Sequence, residues 1–255
     1  MQRGWNLLLC CFLVPALAAY DEIGLDENNE FGGRTVTFQA PEKGIFRGKD
    51  YFDSGSNIMR HDWQFTEESS LASGIQRKVA EFLFDIKTKE TTYFTAKYQS
   101  LRRVATQIDH FEQATGVLMR REKHFTTESM GYSVTHFQLG KATKLEWFYP
   151  ENAEGYSQTV THYGDDGSTV VQEEHFYTPR SQRKEGMVKS EYFSRGEKKL
   201  KRIWYYTPEW SAANKGAVKK VVEYPEHPVI EFPPNVNYYD AKGEVVELNL
   251  PHTDF

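Results

Sequence analysis

Five of the eight histidines stand directly before an aromatic residue, close to the ends of predicted strands. They are His110, His124, His136, His162 and His175. Imidazole is the commonest metal ligand in proteins, so the pattern raises the question of a zinc site. In a strand meander the first, third and fourth of these would lie on alternate strands, about 9 to 10 Å apart, whereas zinc holds its ligands at about 2.0 to 2.1 Å. We therefore predict amphipathic strand histidines and no bound metal.

Two pairs of neighbouring carboxylates are the next candidates for chemistry. Asp165 and Asp166 lie between Gly164 and Gly167, which is the composition of a tight hairpin turn, and calcium would need six to eight oxygen ligands there. Glu173 and its neighbour Glu174 would point to opposite faces of a strand. The chain has no Gly-x-Ser-x-Gly or His-Glu-x-x-His motif. We expect no catalytic residue, no cofactor and no enzymatic activity.

Large aromatic side chains remain as candidates for contact with a partner. Tryptophan and tyrosine are enriched at the centres of protein interfaces, where they contribute much of the binding energy. We predict that Trp147, Trp204, Tyr205 and Trp210 are such anchors.

Paired aromatic positions recur from about Thr91 onward and indicate the elements that must carry these residues. Examples are His124-Phe125, Phe148-Tyr149 and Tyr205-Tyr206, and turn-forming residues follow most such pairs. Each step is one strand plus one turn. The strand interiors carry charges on both faces and few aliphatic residues. We predict a mainly β (α+β) fold with an antiparallel meander of about ten strands, open or loosely rolled.

One helix and an irregular segment are expected before the meander. Apolar residues from Leu71 to Ile86 recur at spacings of three and four, and Ser69 or Ser70 is the predicted N-cap. This pattern predicts a helix near 70–87, packed on the sheet. Residues 20–66, rich in Gly, Asn and Asp, are expected to be irregular, and 67–255 to form the helix and meander domain.

The N-terminus has the pattern of a cleavable signal peptide over residues 1–19. Arg3 precedes an apolar run that is too short to cross a bilayer, and small residues at Ala18 and Ala19 predict a nearby cleavage site. Both cysteines, Cys10 and Cys11, lie in this run. The remaining chain would carry no thiol, so we expect an extracellular or periplasmic protein without disulfides and without a membrane span.

The charge balance argues against a nucleic-acid partner. The chain has 31 Lys and Arg against 36 Asp and Glu, a formal net charge of −5. Nucleic-acid binding requires a basic surface, and only the stretch 184–202 is locally basic.

A segment near the C-terminus resembles a known repeat family. Lys184 to Gly196, KEGMVKSEYFSRG, together with Tyr238 to Gly243, YYDAKG, is similar to the tyrosine-glycine hairpin units of MORN-like repeat sheets. The resemblance extends over about 144–246. It implies an elongated array of hairpins used for scaffolding or partner binding, and it implies no catalytic residue.

Together these features predict a secreted, non-enzymatic structural or binding protein. Its expected partner is an extracellular protein, a matrix or wall polymer, or a second copy of itself. The alternative is a lipocalin-like or lipoprotein-carrier-like half-barrel that holds a hydrophobic ligand.

Overall fold

The computed structural model describes residues 21–127, 130–150, 155–195, 198–225 and 234–248. The predicted signal peptide and the cleavage site near Ala18 and Ala19 lie outside the described residues.

The described chain forms one antiparallel sheet of 17 strands in which each strand pairs with the next one along the chain. The second half of the meander continues in the same way. The strands are β1 (Asp21–Asp26), β2 (Gly32–Ala40), β3 (Ile45–Asp53), β4 (Ile58–Phe65), β5 (Ile75–Leu83), β6 (Ile86–Phe94), β7 (Val104–Phe111), β8 (Leu118–Phe125), β9 (Tyr132–Gln138), β10 (Lys141–Phe148), β11 (Tyr156–Tyr163), β12 (Val170–Tyr177), β13 (Met187–Arg195), β14 (Lys198–Tyr206), β15 (Lys219–Glu223), β16 (Asn235–Tyr239) and β17 (Val245–Val246).

The predicted mainly β meander is confirmed, and the sheet is open. The strand count is higher than the ten expected, partly because residues 20–66 are not irregular. They contain β1 to β4 and a short 3-10 turn at Pro41–Lys43. β4 pairs with β5, so the sheet continues across the expected boundary at residue 67. Gly- and Asn-rich pieces there form the turns between strands.

Four short helices connect strands at one edge of the sheet. They are α1 (Glu67–Ser73), α2 (Ala96–Arg102), α3 (Pro179–Glu185) and α4 (Pro208–Ala213). Each follows an even-numbered strand, and because a meander reverses direction at every strand, all four lie at the same edge, called here the helical edge. Among the described residues, no helix has the length and apolar character needed to cross a membrane.

A threonine caps each helix and links it to the unit before. The side chains of Thr66, Thr95, Thr178 and Thr207 accept a hydrogen bond from the backbone N–H three residues later. The backbone N–H of Thr95 donates to the carbonyl of Gly74, which ends α1, over 2.9 Å, and Thr207 donates to Gly186 over 2.8 Å. The helical edge is therefore a chain of hydrogen-bonded repeats.

The predicted helix near 70–87 is wrong. α1 starts after Thr66 and ends at Gly74, whose φ of 76° favours glycine, and β5 and β6 follow. The apolar residues matched a helical spacing because a single-layer sheet has no fully buried face. Apolar and polar residues therefore need not alternate strictly along its strands. In β5, Val79 lies on one face while Ala80 and Phe82 lie on the other.

The two faces of the sheet differ in composition. One carries Trp63, Trp147 and Trp204, and is called here the tryptophan face. The opposite one, the glutamate face, carries a central row in which Glu122, Val134, Glu146, Val160 and Glu174 are paired in that order.

Apolar and charged residues on the glutamate face alternate across the strands. Val134 and Val160 are only 4% and 6% exposed although no second layer covers them. Each valine is paired with a glutamate on both neighbouring strands, so the aliphatic parts of those side chains are available to cover it. This cross-strand alternation explains why each strand read alone shows charges on both faces.

Candidate functional site

An open groove of about 420 Å³ lies on the tryptophan face beside α2. One wall is formed by Phe94 and by Tyr98 from α2, whose rings stack with centroids 4.4 Å apart. The other wall is formed by Phe125 and Trp147, stacked at 4.8 Å. The volume falls in the range of small-molecule and peptide sites, which are typically lined by apolar rings with a few polar groups.

The groove opens where the repeat is interrupted. α1 and α3 end at Gly74 and Gly186, and an aromatic ring of the following helix packs directly on each glycine. α2 ends instead at Arg103, a non-glycine residue with φ 58°. The connection from β8 to β9 that follows has no α-helix among its described residues. No ring is therefore supplied to cover the tryptophan face at this point.

A neutralised ion pair lies next to the groove on the same face of the sheet, two residues along β7 and β8 from the lining residues Gln107 and Lys123. Asp109 is 7% exposed, and Arg121 donates two hydrogen bonds to its carboxylate, at 2.7 and 3.0 Å. Gln107 donates a third, at 3.0 Å. The hydrogen bonds to Asp109 raise the pKa of Arg121 against the opposing effect of burial. Asp109 therefore has no charge left to offer another cation.

Two further cations line the groove without a partner. Arg102, at the end of α2, and Lys123, on β8, form no ion pair and no side-chain hydrogen bond with any residue in the described ranges. The cross-strand neighbours of Lys123 are Gln107 and Ser133, and neither is charged. The groove therefore combines flat apolar walls with two positive charges that have no ion-pair partner within the described ranges, an arrangement that suits an anionic group attached to a ring or an apolar body.

Trp147, one of the predicted contact residues, lies in this groove. Its indole N–H donates to the backbone carbonyl of Met130 over 2.8 Å, which fixes the ring against Phe125. The ring is thus held in place before any ligand arrives.

The other three predicted contact residues lie elsewhere. Trp204 is on the tryptophan face but only 9% exposed, and its cross-strand neighbour Ser190 is fully buried. Tyr205 is on the glutamate face, where its hydroxyl donates to Glu191 over 3.2 Å. Trp210 stacks on Tyr206 at 3.7 Å and lines a separate cleft between α3 and α4. The structure therefore does not bring the four residues together, and their contact with a partner stays a prediction.

The histidines and paired acids take ordinary structural positions. His110, His136 and His162 lie two strands apart in one row, each beside a glutamate. No group of three or more His, Cys, Asp or Glu within the described ranges is arranged to hold a metal ion. Asp166 accepts hydrogen bonds from Thr169 and from backbone N–H groups of the turn, and these strongly lower its pKa.

Sequence reasoning missed Arg102 and Lys123 because neither belongs to a motif. One signal was available. An aromatic-Thr dipeptide starts each helical connection, as in Phe94-Thr95 and Tyr206-Thr207, and a glycine ends two of the four helices, α1 and α3. Arg103 in place of that glycine marks the interrupted unit.

No family model and no curated protein sequence matches the chain.

Proposed function

We propose that the protein is a secreted, non-enzymatic binding protein that holds an acidic extracellular polymer in the groove beside α2. The observation that carries the proposal is a pair of cations, Arg102 and Lys123, that lie between two stacked aromatic walls and have no partner among the residues that the structure describes. A free cation among rings binds an anionic group without first breaking an internal ion pair, so the binding energy is not spent on that exchange.

The two outermost strands of the sheet, β1 and β17, favour contact with a partner through a face of the sheet rather than through strand pairing. β1 at one edge is short, fully exposed and acidic, with Asp21, Glu22 and Asp26 among its six residues. β17 at the other edge has two residues. Short and charged edge strands resist pairing with a further strand, which disfavours edge-to-edge self-association and favours a partner laid on the sheet.

A binding assay on an acidic polysaccharide tests the proposal. We expect the full-length secreted protein to bind immobilised dextran sulfate at pH 7.5 and not uncharged dextran. The double variant Arg102→Gln/Lys123→Gln should bind about tenfold more weakly, because two charge-assisted contacts are lost. Lys97→Gln is the matched control, since Lys97 is an exposed cation of α2 outside the groove. Equal affinity of the double variant and the wild type would contradict the proposal.

The hydrophobic-carrier alternative makes a different prediction for the same protein. Native mass spectrometry of freshly purified material would then show a co-purified lipid, and the Arg102→Gln/Lys123→Gln variant would retain it. The groove beside α2 is open and is lined by two cations, which favours the acidic partner over an apolar ligand.

A further inference from the structure

A row of cations crosses the glutamate face, on the side away from the helical edge. It is called here the histidine row, and its members are paired in the order Lys89, His110, Arg120, His136, Lys144 and His162. Adjacent strands are about 4.8 Å apart, so the six side chains form a line of about 24 Å. Fixed charges and imidazoles alternate along it.

The histidine row lies above a more deeply placed row of carboxylates. Side chains of the histidine row are 33% to 46% exposed, whereas Glu122, Glu146 and Glu174 are 14% to 18% exposed. An approaching molecule therefore meets the cations before the carboxylates.

Each of these carboxylates lies beside one imidazole of the histidine row and one fixed cation. The Nε2 atoms of His110, His136 and His162 lie 2.9, 2.6 and 2.8 Å from a glutamate oxygen. The fixed cations on the same three glutamates are Arg120, Lys144 and Lys189. The remaining charged groups that face the row are Glu81, which pairs with Lys89, His124, which lies 3.5 Å from Glu122, and Glu191, which pairs with Lys189.

The charge of this surface depends on the imidazoles. When the imidazoles are uncharged, the four fixed cations Lys89, Arg120, Lys144 and Lys189 face five carboxylates, those of Glu81, Glu122, Glu146, Glu174 and Glu191, so the surface has no excess of positive charge. Burial acts to raise the pKa of Glu146 and Glu174, but hydrogen bonds from the neighbouring histidine and lysine outweigh it and lower the pKa of both. These carboxylates therefore stay charged in mild acid, and protonation of His110, His136 and His162 adds three positive charges with no new negative one.

We propose that the histidine row is a binding strip for a linear anionic polysaccharide, and that it holds this ligand more tightly when its three imidazoles are protonated. One cation per strand, in a straight line, matches an extended chain with anionic groups spaced along it. A nucleic-acid duplex carries one charge per about 1.7 Å and requires a basic surface that is not compensated by carboxylates. The strip shares with the proposed function only the class of partner, since it lies on the opposite face from the groove.

Dextran sulfate is the probe, because its sulfates stay ionised over the pH range and any pH effect then comes from the protein. We expect the affinity of the full-length secreted protein at pH 5.5 to exceed that at pH 7.5 by about tenfold at constant ionic strength. The triple variant His110→Gln/His136→Gln/His162→Gln should bind equally at both pH values. Thermal unfolding at each pH shows that it remains folded.

His61→Gln is the matched control. His61 also pairs with a carboxylate, at 2.6 Å from Asp50, but it lies on the tryptophan face. This variant should keep the full pH dependence.

Three outcomes decide the proposal. Wild-type affinity that does not change with pH overturns it, as does a triple variant that keeps the wild-type pH dependence, and so does tighter binding of a single-stranded polynucleotide than of dextran sulfate at pH 5.5. A pH dependence that survives in Arg102→Gln/Lys123→Gln while that variant loses no affinity at pH 7.5 supports the histidine row and contradicts the groove. The two proposals therefore fail separately.

Discussion

The connections that contain α2 and α4 are built from the same unit, a capping threonine followed by a short helix. They differ in what packs at the two ends of the unit. Around α4, Trp210 stacks on Tyr206, lies against Gly186 and lines an open cleft of about 800 Å³ between α3 and α4. Around α2, Tyr98 lies against Gly74 in the same way, but α2 itself is followed by no α-helix in the described part of the connection from β8 to β9. The comparison teaches that each following helix supplies the ring that packs on the end of the helix before it, and that the described residues supply no such ring beside the end of α2.

The ion pair between Asp109 and Arg121, next to the groove, should give the largest effect on stability when it is broken. Asp109→Ala leaves Arg121 partly buried without its partner, and we expect a loss of about 3 kcal/mol in the free energy of unfolding, measured in urea. Glu209→Ala, on the exposed surface of α4, should change it by less than about 0.5 kcal/mol. If Asp109→Ala lowers the free energy of unfolding no more than Glu209→Ala does, the ion pair does not stabilise the sheet at this point.

The contact between Trp210 and Gly186 should be sensitive to any side chain added at residue 186. An alanine Cβ at Gly186 would lie 2.4 Å from the Trp210 ring, and the residue has φ 70°. We expect Gly186→Ala to destabilise by about 2 kcal/mol, because steric overlap adds to backbone strain.

Gly140→Ala is the control that separates the two causes. Gly140 has φ 77° but no atom within 4 Å of the added Cβ, so strain alone should cost about 1 kcal/mol. If the two variants lose the same stability, the packing of Trp210 on Gly186 contributes nothing.

The strand before α3, β12, contains an imidazole that should make the free energy of unfolding depend on pH. His175 lies between Tyr156 and Tyr192, its Nδ1 is buried without a hydrogen-bond partner in the described residues, and burial lowers its pKa from 6.5 against the opposing charge of Glu173. The unfolded chain therefore binds the proton first as the pH falls. The stabilisation is complete above about pH 6.5 and is lost as the pH falls from there through the folded pKa.

His175→Phe keeps a ring between the two tyrosines and removes the titration. We expect its melting temperature to fall less than that of the wild type between pH 7 and pH 5. An identical fall in both proteins would place the proton uptake elsewhere.

Arg103 should give the smallest effect, and one of opposite sign. Arg103→Gly relieves a positive φ but adds chain entropy to the unfolded state, so we expect a gain of about 0.5 kcal/mol in the free energy of unfolding. A clear loss of stability would mean that the Arg103 side chain packs against the fold and stabilises it.

Sequence reasoning predicted the meander because turn residues and aromatic pairs are local signals. It failed at 70–87, where Ile75 and Val79 matched a helical spacing although they lie in a strand. It failed at the groove for a different reason. Lys123 gains its meaning from the uncharged residues on the neighbouring strands, and that register is set by pairing across the sheet.

The chemical shifts of the tryptophan indole N–H groups test the groove most directly. Four tryptophans follow the predicted signal peptide: Trp63, Trp147, Trp204 and Trp210. On titration with short dextran sulfate chains at pH 7.5, we expect the Trp147 signal to shift in wild type and to need about tenfold more ligand for the same shift in Arg102→Gln/Lys123→Gln, with the other three signals unmoved. Binding that shifts Trp210 or Trp63 and leaves Trp147 in place would contradict a partner site in the groove beside α2.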